Sequence, residues 1–253
     1  MRLMRNCRQA AAALLLSSGF LQPVLVPAAD LPPAPAPFVA VYEVRTGGIG
    51  VGSMTRRFQI DDGNHYRFES VVESTGLVAL LKPLRIEETS EGNWTAEGLR
   101  PARYAYARRA GKKIKQSSIE FDWPGSRAVA TVNGTPVDFD LSAGTIDKLS
   151  YQLALMQDLA AARTGLAYRI ADIGKTKDYV LAQRPREKVQ VDGQGYSTIP
   201  VEYARDDGRS TVLWCAESLG YLPVRIEYTE KDGEVTTAAL TRRGPTSEAA
   251  WHP

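Results

Sequence analysis

The sequence predicts a mainly β domain: an antiparallel, strongly curved sheet or half-open barrel, with one principal helix packed on its concave side. Three observations predict it. Turn signals recur at intervals of roughly 8–15 residues, the spacing of an antiparallel meander rather than of βαβ units. Between them apolar and polar residues alternate, which is the period of a half-buried strand. One segment departs from that period and carries apolar residues at helical spacing. Composition agrees: of 253 residues, 43% are hydrophobic and 24% charged, which excludes collagen-like, coiled-coil and disordered classes for the chain as a whole.

The chain opens on an export signal. Arg2, Arg5 and Arg8 form a positive n-region, Ala10 to Phe20 an apolar h-region, and Val26-Pro27-Ala28-Ala29 offers the small residues a signal peptidase reads. Pro23 and Pro27 interrupt the apolar run before the roughly 20 residues needed to span a bilayer, so residues 1–29 are expected to be a cleaved signal peptide and the mature chain periplasmic. Cys7 lies in the n-region rather than behind a lipobox, so no lipid attachment is expected there. Without this segment, which holds three Arg and no acid, 28 basic residues stand against 29 acidic ones, a net charge of −1 in place of +2. Net charge therefore gives no support to nucleic acid as a partner. Cys215 is then the sole thiol; its place in Val212-Leu213-Trp214-Cys215 favours burial, the alternative being an intermolecular disulfide.

Residues 30–37 hold four prolines and are read as an extended spacer. The expected turns follow: Asp61-Asp62-Gly63-Asn64, Glu91-Gly92-Asn93, Ala110-Gly111, Trp123-Pro124-Gly125, Asn133-Gly134, Asp192-Gly193, Asp206-Asp207-Gly208, Leu219-Gly220 and Lys231-Asp232-Gly233. Asx-Gly pairs supply the positive φ that tight hairpins require. Between turns, Tyr66 and Phe68 oppose Arg67 and Glu69, and Val224, Ile226 and Tyr228 oppose Arg225, Glu227 and Thr229; Ile199, Val201 and Tyr203 repeat the pattern.

From Thr145 to Ala162 the residues Ile146, Leu149, Leu153, Met156 and Ala160 fall at helical spacing until Gly165, predicting an amphipathic helix of about four to five turns. Leu149, Leu153 and Met156, together with Trp214, are candidates to line an apolar cavity under a curved sheet; the alternative is that the stripe completes a core. With no internal repeat and no second linker, residues 38–244 are read as one domain and residues 245–253 as a disordered tail. Two domains meeting near Leu141 are the alternative.

No catalytic, metal or cofactor motif assembles. Two histidines, His65 and His252, preclude a His-Glu-x-x-His helix or a His-rich metal cluster. Gly195-Tyr196-Ser197-Thr198-Ile199 lacks the last glycine of a nucleophile elbow. Gly47-Gly48-Ile49-Gly50-Val51-Gly52 lacks the Lys-Ser/Thr ending of a phosphate loop and reads as a flexible hairpin, and Asp138, Asp140 and Asp147 lack calcium-loop spacing. A carboxylate pair such as Glu69 and Glu73 shares a strand face, but that spacing is commonplace. One basic stretch stands out: Arg100, Arg103, Arg108, Arg109, Lys112, Lys113 and Lys115 are interleaved with Tyr104 and Tyr106 and contain no acid. It reads as a hairpin turning at Ala110-Gly111. It could meet an anionic membrane surface or an envelope protein, or simply form a solvated face guarding an edge.

Gly98-Leu99-Arg100-Pro101, Phe121-Asp122-Trp123, Asp147-Lys148-Leu149-Ser150, and Trp214 followed by Leu219-Gly220-Tyr221-Leu222-Pro223-Val224-Arg225-Ile226 together resemble the bacterial exported-protein family known as domain of unknown function 3108. The resemblance runs from near Phe38 to near Arg242 and implies no catalytic residues. The Gly-Tyr-Leu-Pro-Val-Arg-Ile ending is also similar to late strands of periplasmic lipoprotein carriers and receptors, which implies a half-open antiparallel barrel with helices over its mouth. The expected function is non-enzymatic binding of a lipid or other apolar envelope component. The alternatives are a protein-interaction module in envelope assembly and, further off, a hydrolase.

Overall fold

The computed structural model describes residues 33–246. The expected signal peptide, Cys7, the start of the proline-rich spacer, His252 and the tail from residue 247 lie outside the described residues. Strands β1 (Phe38–Thr46), β2 (Ile49–Ile60) and β3 (His65–Ser74) form a meander, and a short helix α1 (Gly76–Leu81) follows. The meander resumes with β4 (Leu84–Thr95), β5 (Gly98–Ala110), β6 (Lys113–Asp122), β7 (Arg127–Val132) and β8 (Thr135–Asp140). Next come β9 (Thr145–Asp147), α2 (Tyr151–Ala160), β10 (Ala167–Asp172) and β11 (Lys175–Val180). The last strands are β12 (Ala182–Gln183), β13 (Glu187–Val191), β14 (Gln194–Ala204), β15 (Ser210–Ala216), β16 (Leu222–Thr229) and β17 (Val235–Gly244).

One large antiparallel sheet takes most of these strands, in the order β12-β14-β15-β16-β17-β1-β2-β3-β4-β5-β6-β7-β8, with β13 on the edge of β14. The β17–β1 pairing joins the last strand to the first. The path ends at β8 and at β12, so the sheet does not close into a barrel. Asn133 and Asp192 hold positive φ beside Gly134 and Gly193, as two-residue hairpin turns demand.

Register sorts the residues into layers, because side chains on directly paired positions share a face. Phe38, Phe58, Phe68, Ser90, Tyr104, Ile119 and Ala130 are paired in succession across seven strands, and all are buried. Phe38, Phe58, Phe68 and Trp94 meet there with ring centroids 5.9–6.2 Å apart. The opposite face carries ion pairs, across strands between Arg67 and Glu91, Arg85 and Glu73, and Arg103 and Glu120, and along one strand between Arg67 and Glu69 and between Arg85 and Glu87. Glu69 and Glu73 are thus each held by an arginine on the outer face.

The helix is shorter than its apolar spacing predicts. Thr145–Asp147 is a strand, paired in parallel with Arg169–Ala171 of β10, and α2 begins at Tyr151. The cause is Asp147, whose Oδ1 accepts the N–H groups of Leu149 and Ser150 at 2.9 and 2.8 Å and so takes up backbone donors before the helix starts. Nor is α2 simply amphipathic. Leu153 and Met156 join the main apolar cluster with Phe58 and Trp214, while Leu155 and Leu159 join a second one with Ile146, Ile170, Val201, Leu213 and Cys215. A helix apolar on both sides is a buried helix. A second difference concerns Glu91-Gly92-Asn93, which lies within β4 rather than in a turn. The β4–β5 register shifts at Gly92, where a Cβ would stand 2.3 Å from the Arg100 carbonyl oxygen. Glycine is there for close backbone approach.

Candidate functional site: an apolar cavity at the open end of the sheet

The ends of β1, β3 and β5 and the starts of β2, β4, β6 and β17 come together at one rim of the sheet, and α1 lies across it. Backbone bonds fix this rim. The Thr75 N–H donates to the Val51 carbonyl (3.2 Å), the Leu84 N–H to Ser74 Oγ (2.9 Å), and the Gly111 N–H to the Pro83 carbonyl (3.1 Å). The last of these ties the β5–β6 hairpin to the connection after α1. Gly52 lets β2 and β3 approach, since a Cβ there would fall 2.3 Å from the Glu73 carbonyl oxygen.

Under this rim lies a cavity of about 880 Å³. Val44, Val51, Val72, Val78, Leu81 and Leu84 form apolar walls. Lys82, Arg108, Lys112 and Lys113 add cations to the same lining. Such a site takes up an apolar body and favours a negative group at its mouth.

The basic stretch is divided by strand periodicity. Arg108, Lys112 and Lys113 line the cavity, and Lys115 is the direct register partner of Arg108. Arg103 and Arg109 point to the outer face, where they pair with Glu120 (3.1 Å) and Glu87 (2.5 Å). Arg100 lies over the Trp123 ring at 5.2 Å. Leu149, Leu153, Met156 and Trp214 are all buried in the main apolar cluster, and none of the four lines the cavity at the rim. Trp214 donates its indole N–H to Glu187 and lies under the Arg225 guanidinium at 4.9 Å. Sequence reasoning missed α1 and Lys82. The signal was present in the five apolar residues Leu77 to Leu81, followed by Lys82 and bracketed by Gly76 and Pro83.

Deeper on the inner face Ser90, Asp147, Tyr66, Tyr104 and Glu88 are engaged in structural bonds. Ser90 Oγ donates to Asp147 Oδ2 at 2.5 Å, which leaves Tyr66 to donate its hydroxyl to Ser90 at 3.0 Å. Burial raises the Asp147 carboxyl above the usual aspartate range, against the hydrogen bonds that stabilise its charge. Tyr104 donates to Glu88 at 2.5 Å, and Lys148 lies 4.5 Å from the Tyr106 ring centre. Arg56 Nε and Nη1 and both amide atoms of Gln152 are buried with no hydrogen-bond partner among the described residues. Cys215 is buried, and desolvation pushes its thiol pKa up, which suppresses the reactive thiolate. His65 sits beside Asp61 at a hairpin, Nδ1 to Oδ1 3.5 Å. Among the described residues no group of three or more His, Cys, Asp or Glu side chains is placed to hold a metal ion, and no helix is long and apolar enough to cross a membrane.

Fold and cavity together define a β-barrel-like protein whose antiparallel sheet stays open and carries an apolar chamber at one end. The family model described as "Protein of unknown function (DUF3108)" matches residues 41–240, and the chain belongs to that family. Among solved structures it is similar to a β-barrel-like protein of domain of unknown function DUF1849 from Brucella abortus, with a TM-score of 0.55 and 12% identity, covering 83% of this chain and 98% of that one. At that identity the likeness concerns the fold alone. No curated protein matches the chain.

Proposed function

We propose that the protein is a periplasmic, non-enzymatic binder of a lipid or another apolar envelope component, held in the cavity at the open end of the sheet. The observation that carries this reading is the joining, in one chamber, of apolar walls with Lys82, Arg108, Lys112 and Lys113, which form no ion pair among the described residues; the acid in the lining, Glu73, is paired with Arg85. Its volume, about 880 Å³, is in the range of about 300–1,000 Å³ typical of small-molecule sites. Each methylene transferred from water contributes about 0.8 kcal/mol, so ten contribute about 8 kcal/mol gross, enough to offset much of the cost of association. The export signal read in the sequence puts such a binder where envelope lipids are found.

Native mass spectrometry and lipid extraction of the protein purified from periplasm test the reading. Co-purifying lipid is expected, and Val72→Trp, which fills the chamber from its wall, is expected to deplete it. Protein that carries no lipid and shows a filled, cavity-free interior at this end would sink the proposal.

A further inference from the structure

Helix α1 has three leucines that folding leaves in water. Leu77, Leu80 and Leu81 are 78%, 79% and 82% exposed, and no residue of the helix is buried. Scattered surface leucines are unremarkable, but three within five positions form a patch that an aqueous protein does not need. Ile49, at the tip of the β1–β2 hairpin, is 69% exposed, and Ile114, at the start of β6, 58%. Both belong to the same rim.

Charge at this rim differs from that on the adjoining outer face of β3–β5. Arg67, Arg85, Arg103 and Arg109 on the outer face are all paired with carboxylates. Lys82, Lys112 and Lys113 form no ion pair among the described residues, although they lie together on the cavity lining. Exposed large apolar side chains beside unpaired lysines are the composition of a surface that settles at the headgroup level of an anionic bilayer. The Gly111–Pro83 hydrogen bond holds the lysine hairpin and the end of α1 in one unit, so both kinds of side chain are presented together.

We propose that this open end docks on an anionic lipid bilayer: Leu77, Leu80 and Leu81 enter the boundary between headgroups and acyl chains, and Lys82, Lys112 and Lys113 stand over lipid phosphates. The cavity mouth then faces the lipid phase. This goes beyond ligand binding, since the surface would dock with the chamber empty and the chamber could fill without docking.

Vesicle flotation with the periplasm-purified chain tests it, using vesicles of phosphatidylglycerol and phosphatidylcholine in equal amounts at low salt. The wild type is expected to float with them and to stay behind with pure phosphatidylcholine. K112Q/K113Q should bind about thirtyfold more weakly, at about a factor of five for each lysine near a charged surface, and with less salt dependence. L77S/L80S should bind about tenfold or more weakly, with the salt dependence kept. R103Q/R109Q removes the same charge from the outer face of the same hairpin and should leave flotation near wild type. All these side chains are exposed, so circular dichroism and Tm should not move. Failure of the wild type to float, full flotation of L77S/L80S, or equal loss in R103Q/R109Q overturns docking; so does capture of a protein partner through the leucines with no vesicle binding. Lipid extraction reads occupancy and flotation reads docking, so either idea can fail alone.

Discussion

Replacing Asp147 by alanine is expected to destabilise the fold by about 3–5 kcal/mol. The side chain is wholly buried and accepts three hydrogen bonds, from Ser90 Oγ (2.5 Å), the Leu149 N–H (2.9 Å) and the Ser150 N–H (2.8 Å). Truncation leaves three donors unsatisfied in the interior, at about 1–3 kcal/mol each, and water entering the vacated space relieves part of that sum. Asp147→Asn keeps Oδ1 on both backbone amides and alters only the contact with Ser90, whose hydroxyl turns to accept from the new amide group; it should cost about 1 kcal/mol. The two variants also differ in pH dependence. Because burial raises the Asp147 pKa, the native state holds its proton to higher pH than the unfolded state does. The native state therefore binds more protons across that window, and this group's contribution to stability falls as pH rises from the ordinary aspartate range of about 4 through the raised value. Asparagine has no such slope, so the stability of the wild type relative to Asp147→Asn should fall as pH rises over the window and then level off. Urea unfolding followed by tryptophan fluorescence at a series of pH values measures both effects. An alanine variant within about 1 kcal/mol of wild type, or a wild-type-to-asparagine difference that ignores pH, would refute the account of Asp147 as a desolvated carboxylate that satisfies three buried donors.

Two further outcomes follow from backbone contact and burial. Cys215 is buried with a raised pKa, so iodoacetamide should leave it unmodified in the native protein and alkylate it fully in urea; native labelling or a dimer dispersed by reductant would contradict this. Gly92→Ala should cost about 3 kcal/mol in urea unfolding, because its Cβ would meet the Arg100 carbonyl oxygen at 2.3 Å and Pro101 Cα at 2.7 Å, and backbone cannot swing aside as a side chain can; a near-neutral variant would show that the β4–β5 bulge slips freely.

The meander was legible because its signals are local. Asn133-Gly134 and Asp192-Gly193 announce their turns, and the alternation of Tyr66, Arg67, Phe68 and Glu69 announces which face is buried. The β17–β1 pairing was not legible, since nothing near Phe38 records a partner some two hundred positions away. Gly92 was misread because glycine serves both positive φ and close approach, and sequence does not say which. Ile146 misled in a related way: three positions before Leu149 it fits a helical stripe equally well from a strand, and the acceptor that stops the helix, Asp147, works through bonds that only the folded chain reveals. In the basic stretch, strand period was a usable signal. It separates Arg103 and Arg109 from Arg108, and only the structure adds that Lys112 and Lys113 lie on the cavity side with Arg108.

The missing bond between β8 and β12 has a mechanical consequence. In a sealed cylinder of strands the number of strands and their stagger dictate the bore, and widening it means breaking a ladder of hydrogen bonds. Here the two terminal strands of the path are unjoined, so girth is a soft coordinate: a slight change of twist, shared among many neighbouring strands, spreads or draws in the walls while every ladder stays intact. For the binder proposed above, one set of side chains would then serve guests of different thickness, the elasticity of the sheet standing in for a lock cut to a single shape.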